Sequence, residues 1–93
     1  MLFQHEPGRF YLEQNDKVVA QIVYSVINNG KTYAIDSTVV DPSLRGQGIA
    51  LKLVDAVVDE AKANNKTVQP VCSFARKVFL NNPDKYQEIE YHS

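Results

Sequence analysis

Arg45-Gly46-Gln47-Gly48-Ile49-Ala50 sets an arginine and two glycines between a β-branched run, Val39-Val40, and an amphipathic segment that starts at Ile49. A strand feeding a glycine-bearing loop and then a helix makes a seat for an anion. The first turn of a helix leaves backbone N–H groups without intrahelical partners, and the macrodipole adds roughly half a positive charge at the same end. Without a Cβ at Gly46 and Gly48, a phosphate can approach the backbone closely. The spacing therefore predicts that Arg45 to Ala50 grip a pyrophosphate. Two glycines alone more often mark a plain turn. The loop is not a P-loop, because no Gly-Lys-Ser/Thr closes it. Nor is it a dinucleotide fingerprint, since Leu51 stands where a third Gly or Ala belongs. Asn29-Gly30-Lys31-Thr32 does hold Gly-Lys-Thr, but Ser25 replaces the earlier glycine and the flanking alternation reads as a hairpin.

The loop resembles something more particular. Arg45 to Ala50 is similar to the Arg/Gln-x-x-Gly-x-Gly/Ala signature of the GNAT superfamily of acetyl-CoA-dependent N-acetyltransferases, and Leu44 and Ile49–Val54 suit the family's helix. Val68-Gln69-Pro70-Val71-Cys72-Ser73-Phe74 resembles the equivalent part of a minimal, single-domain branch of that superfamily. With both segments in order, the resemblance covers nearly the whole chain. It implies acetyl-CoA as cosubstrate, a primary amine as acceptor and direct acetyl transfer. The loop amides of Arg45, Gly46, Gln47, Gly48, Ile49 and Ala50 would hold the coenzyme A pyrophosphate. The pantetheine arm would lie in a gap where the strand before the loop splays from the strand after the helix. Val39 and Val40 would line one side of it, and Val71 and Cys72 would come close to the thioester. A non-catalytic acetyl-CoA-binding or regulatory module using the same cleft is the alternative, separated from the enzyme by release of free thiol with amines. Larger relatives build an acceptor pocket from helices after the first strand and a final hairpin. Gln14-Asn15-Asp16-Lys17 leaves no space for those helices, so the acceptor side is open or completed by another molecule. The acceptor, a small amine or a protein lysine or N-terminus, is not legible.

Two residues are candidates for the chemistry, Cys72 and Asp36. A lone cysteine is in most proteins an inert small hydrophobe. Cys72, however, is expected at the end of a parallel strand directly before a helix, and a helix start stabilises the reactive thiolate. It could accept the acetyl group transiently or take a proton from the incoming amine. Acyl transfer needs that amine neutral, so a base or proton wire is required, and Asp36 and Thr38 are expected to share a strand face and act through water. In many relatives a tyrosine protonates the departing thiolate, a role open to Tyr86 or Tyr91, which otherwise pack. Arg45, Arg76 and Lys77 are the candidates for coenzyme phosphate contacts. His5 and His92 lie near the termini without metal-ligand spacing and are expected to be exposed and passive.

The elements that must position these residues follow from periodicity. Residues 9–14 read as a strand, Asn15-Asp16 as a turn, and Lys17 to Ile27 as a central strand with apolar residues on both faces. Asn28-Asn29-Gly30-Lys31 supplies a hairpin. Thr32 to Val40 follows, with Tyr33, Ile35, Ser37 and Val39 on one face and Ala34, Asp36, Thr38 and Val40 on the other. Ile49, Ala50, Leu53, Val54, Val57 and Ala61 make a helical stripe, capped at Asn64-Asn65. Thr67 to Cys72 reads as a strand parallel to Thr32–Val40. Ser73 caps a short helix, Phe74 to Asn81, which Pro83 ends, and one more turn fits before Ile89. The fold class is α/β (α+β), a GNAT-like mixed sheet in the order β-β-β-α-β-α, with the third and fourth strands parallel and splayed and a helix on each side.

Size and charge bound the rest. Residues 1–93 are expected to form one domain, and the apolar fraction of 44% is ordinary. Ten basic against eleven acidic residues, without like-charge blocks, disfavour nucleic acid and anionic membrane as partners. Gly46-Gln47-Gly48 is also not the Gly-x-x-Gly loop of RNA-binding KH domains. One cysteine makes no intramolecular disulfide, and neither a signal peptide nor a membrane span is read. A cytoplasmic monomer or weak homodimer is expected.

Overall fold

The computed structural model describes residues 3–91. Five strands form one mixed sheet in sequence order: β1 Gln4–Glu6, β2 Arg9–Gln14, β3 Lys17–Ile27, β4 Thr32–Val40 and β5 Thr67–Pro70. The helices are α1 Ile49–Ala63, α2 Ser73–Asn81 and α3 Pro83–Tyr86, with a 3-10 turn at Pro42–Leu44. Strands β1 to β4 are an antiparallel meander, and only β4 and β5 run parallel. The expected order of four strands with the third and fourth parallel is thus corrected: the parallel pair is the fourth with the fifth. The added strand, Gln-His-Glu, has no apolar alternation to reveal it. It is held by its ladder to β2 and by His5, whose ring stacks on Phe10 at 4.0 Å and hydrogen-bonds the Tyr24 hydroxyl at 2.8 Å. His5 is exposed but not passive; His92 lies outside the described residues.

The turns follow the expected chemistry. Asn15 and Asp16 both take positive φ between the paired Gln14 and Lys17, the two-residue turn whose twist suits a hairpin. Asn28, Asn29 and Gly30 do likewise between β3 and β4.

A bulge alters the alternation of β4. In β4, Val23 pairs with Ser37 and Tyr24 with Ile35, which leaves Asp36 as an extra residue. A bulge shifts the phase of every side chain beyond it. Tyr33 and Ile35 therefore share a face with Thr38 and Val40, and the expectation that Asp36 and Thr38 share one strand face is corrected.

One contiguous core joins Ala20, Ile22, Tyr24, Ile35 and Val68 of the sheet to Leu53, Val54 and Val57 of α1 and to Val78, Phe79 and Tyr86 of the later helices. The helices thus cover the same sheet face, and the expectation of a helix on each side does not hold. On the other face Val39 remains 57% exposed. The stripe on α1 is as expected except that Val58 joins it and Ala50 is only half-buried.

Tyr86 locks α3 to α1. It is buried, stacks on Phe79 and donates its hydroxyl to Asp55 Oδ1 at 2.7 Å, while Lys85 Nζ reaches Asp55 Oδ2 at 3.0 Å. Burial, and then the adjoining Asp55 carboxylate, raise the phenol above its usual range, so it stays a donor. Tyr86→Phe leaves Asp55 short of this donor, and we expect a loss of about 1–2 kcal/mol, read as a lower midpoint in thermal unfolding.

Candidate active site

The β4–β5 ladder ends abruptly. Pairing runs from Thr32↔Thr67 to Ile35↔Pro70, and the Ile35 carbonyl then accepts from both Val71 N–H at 3.1 Å and Cys72 N–H at 3.0 Å. Beyond that point β4 continues to Val40 paired only with β3 among the described residues, while the other chain turns into α2. The expected strand Thr67–Cys72 therefore stops at Pro70, because its last two amides converge on one oxygen instead of advancing along β4.

Cys72 is the N-cap of α2, a place expected for Ser73. Its Sγ accepts from Ala75 N–H at 3.4 Å and lies 3.6 Å from Thr38 Oγ1. The bulge at Asp36 is what brings Thr38 to this side of the sheet. Asp36 itself is exposed at the bulge, beside the end of the ladder.

The turn before α1 is built by Asp41, whose carboxylate accepts from the Ser43 N–H at 2.9 Å and the Ser43 hydroxyl at 2.8 Å. These bonds, with smaller help from Lys17 and Arg45, hold the Asp41 carboxyl below its usual range. A carboxyl depressed by folding contributes stability above its unfolded pKa and loses it as pH falls through the lower folded value. We expect Asp41→Asn to be less stable than the parent at neutral pH. The two should converge as acid protonates Asp41, read as melting temperature against pH.

After this turn the chain presents bare amides. Gly46 and Gly48 have φ of 84° and 73°, a region that L side chains enter at a cost. Gly48 is the N-cap of α1 and offers no side-chain bond to the first turn. The first helical donor outside that turn is Lys52 N–H, which reaches the Gly48 carbonyl at 3.1 Å. Among the described residues, the N–H groups of Gly46, Gln47 and Gly48 find no protein partner, and those of Ile49, Ala50 and Leu51 precede the first intrahelical bond. Val40, Leu44, Arg45, Gly46, Gly48 and Phe74 line a largely apolar cavity of 220 Å³ against this turn.

The structure thus gathers Val40, Arg45, Gly46, Gly48, Ile49 and Ala50 at one cavity, with Gln47 exposed in the same turn. Phe74 belongs with them; the sequence marked it only as the first residue of the short helix. Val39 points to the opposite face and lines a separate groove with Arg9 and Arg45, so only its backbone can face the cleft. Lys77 is exposed one turn beyond Phe74 on α2. Arg76 is not brought to the loop. It lies about 200° around α2 from Phe74 and lines another cavity with Gln69 and Tyr91. Tyr86 is committed to Asp55 and is not poised over Cys72. Among the described residues no group of side chains suits a metal ion, and no helix is long and apolar enough to cross a membrane.

Residues 9–89 match the sequence model of the GCN5-related N-acetyltransferases. The chain belongs to the GCN5-related N-acetyltransferase family. A GCN5-like protein from Staphylococcus aureus, assigned as an N-acetyltransferase, is 32% identical, with a TM-score of 0.76, over 99% of this chain and 89% of that one. A predicted acetyltransferase from Clostridium acetobutylicum, solved with acetyl-CoA, is 25% identical over 78% of this chain, with a TM-score of 0.61. A further GNAT-family protein of Staphylococcus aureus is 26% identical over 68%, with a TM-score of 0.59. This chain spans 54% and 53% of those last two. No curated protein matches the sequence. As a family member the chain is an N-acetyltransferase with acetyl-CoA as cosubstrate.

Proposed function

We propose that this acetyltransferase moves acetyl directly from acetyl-CoA to a primary amine, with each end of the coenzyme held by a different part of the β4–α1–β5 unit. The run of unpartnered N–H groups from Gly46 to Leu51 carries the reading. They converge with the positive end of α1, and a pyrophosphate supplies the acceptor oxygens that such a cluster lacks. Arg45 adds charge beside them. The free edge of β4 from Ser37 to Val40 offers backbone groups to an amide-bearing pantetheine arm, in the manner of an added strand. Phe74 and Val40 supply apolar contact. At the far end, where the ladder closes on Ile35, the thioester lies near Cys72.

There the amine nitrogen attacks the thioester carbonyl carbon. The C–S bond breaks and the sulfur departs as the coenzyme A thiolate, while the amine's proton leaves through Cys72 or through water at Asp36. Cys72 is the stronger of the two candidates, because its Sγ sits at the closed end of the gap with Thr38 Oγ1 beside it. A single domain, a monomer or weak homodimer, and a cytoplasmic setting belong to the same proposal, supported for the last by one half-buried thiol without a disulfide partner among the described residues.

The direct test is an amide NMR titration. Acetyl-CoA and coenzyme A should both shift Gly46 through Ala50, and added salt should weaken the effect. Amides unmoved at a saturating dose would defeat the reading.

A further inference from the structure

The helices pack on one face of the sheet and leave the other without a covering layer among the described residues. Val39, 57% exposed, marks that open face. Paired residues of neighbouring strands share a face, so the register assigns the rest. One row crosses the sheet through Gln4, Tyr11, Gln21 and Val39. On one side of it stand Arg9, Val23 and Ser37, and on the other Glu13 and Val18. We propose that this face docks on a second copy of the chain, about a two-fold axis lying along that row.

Area is the first support. The molecule measures 38 × 27 × 19 Å. The eleven residues of β3 span about 36 Å at the usual rise, so the longest axis follows the strands and the shortest crosses the two layers. The open face then covers roughly 800 Å², the area that each partner buries in an interface of standard size.

Its make-up is the second. Val18, Val19, Gln21 and Val39 line a groove of 580 Å³ on this face, and β3 brings no charged side chain to its centre. Interface centres are poor in charge, while tyrosine and arginine are enriched in interfaces. Here both are already held in place. The Arg9 guanidinium lies 3.9 Å from the centre of the Tyr11 ring, and Arg9 Nη1 donates to Gln21 Oε1 at 3.0 Å. The Tyr11 hydroxyl donates to Gln4 Oε1 at 3.1 Å. Side chains ordered in advance lower the cost of docking.

Charge selects a copy of the same chain as the partner. Arg9 and Glu13 carry opposite charge two residues to either side of Tyr11. A half-turn about the row lays Arg9 over the other copy's Glu13 and Val23 over the other copy's Val18 and Val19. Tyr11, Gln21 and Val39 meet their own counterparts. Packed sheets are turned by about 30°, which displaces residues two places from the axis by a few ångströms, within reach of arginine and glutamate. On β4, Asp36 precedes Val39 and Arg45 follows it, both exposed, so the rotation sets neither beside a like charge. A surface complementary to itself under such a rotation makes an isologous contact. The inference needs no part of the acetyl-transfer reading.

Sedimentation velocity from about 10 µM to 1 mM should show the 10.5 kDa species giving way to one of twice the mass. Interfaces of this size bind with micromolar constants or tighter. Val39→Lys brings two like charges together on the axis and should raise the dissociation constant at least about tenfold. Leu80→Lys, on α2 at a side chain 79% exposed, should leave it unchanged. Glu13→Arg sets arginine against Arg9 and should weaken the dimer about fivefold; adding Arg9→Glu should restore it. Melting curves check that each variant is folded. If the double variant does not fold, Val39→Lys and Leu80→Lys decide the matter alone. A monomer at the highest concentration overturns the proposal. So does a dimer that Val39→Lys leaves intact, one that Leu80→Lys dissociates, or a folded double variant no tighter than Glu13→Arg.

Discussion

Replacing Cys72 with serine should cut turnover by about a hundredfold or more while leaving stability and acetyl-CoA affinity near those of the parent. Proton transfer by a placed side chain typically contributes about 10²–10⁴ in rate. Two roles are combined in this one sulfur. It caps α2 by accepting the Ala75 N–H at 3.4 Å, and it faces Thr38 Oγ1 at 3.6 Å. Serine is a good N-cap, so Cys72→Ser retains the structural role and removes the thiol. Cys72→Ala removes both and should in addition lose about 0.5–2 kcal/mol of stability. Steady-state rates, melting curves and coenzyme titrations on the two variants separate the roles. If Cys72→Ser turns over as fast as the parent, the sulfur is only a cap, and proton removal passes to water at Asp36.

Gly48→Val should weaken acetyl-CoA binding by about tenfold to a hundredfold. The N-cap sits at φ 73° and ψ 13°, where an L residue costs about 1–2 kcal/mol and a β-branched one is an outlier. To escape that strain the chain must turn the amides of Gly48 and Ile49 away from their shared direction. A hydrogen bond to a charged group contributes about 1.5–3 kcal/mol, so misdirecting even one gives the expected range. The control comes from the chain itself, which places asparagine at positive φ at Asn15, Asn28, Asn29 and Asn65. Gly48→Asn should therefore keep the turn and most of the affinity. No Cβ contact within 4 Å arises at this position, so crowding by the protein is not the cause of any loss. Calorimetric titration with both variants decides it, and a Gly48→Val protein that binds normally would refute the role given to this turn.

Much of this architecture was legible because it rests on local rules. The meander showed in the alternation of Val18 to Val26 and in asparagine-rich turns, and α1 in its stripe. The amide turn showed in Gly46 and Gly48, whose type reports the backbone they must adopt. What escaped the sequence depends on pairing between distant segments. The strand Gln4–Glu6 has no pattern of its own and exists by pairing with Tyr11, Phe10 and Arg9. The bulge at Asp36 is set by the register of β3 against β4, not by the residue. The position of Arg76 turned on how α2 is rotated over β5. Its charge suggested a phosphate, but the helix sends Phe74 to the coenzyme turn and Arg76 the other way.

The inserted residue in β4 also fixes a reading frame. Upstream of Asp36, odd-numbered side chains, Tyr33 and Ile35, look toward the helices; downstream the even-numbered ones do, Thr38 and Val40. Parity changes once, at that position, and the hydroxyl beside the thiol exists only because of the change. Substitution within this stretch changes one side chain, whereas deleting one residue reverses every direction after it. The constraint on this strand is thus one of count as well as of identity.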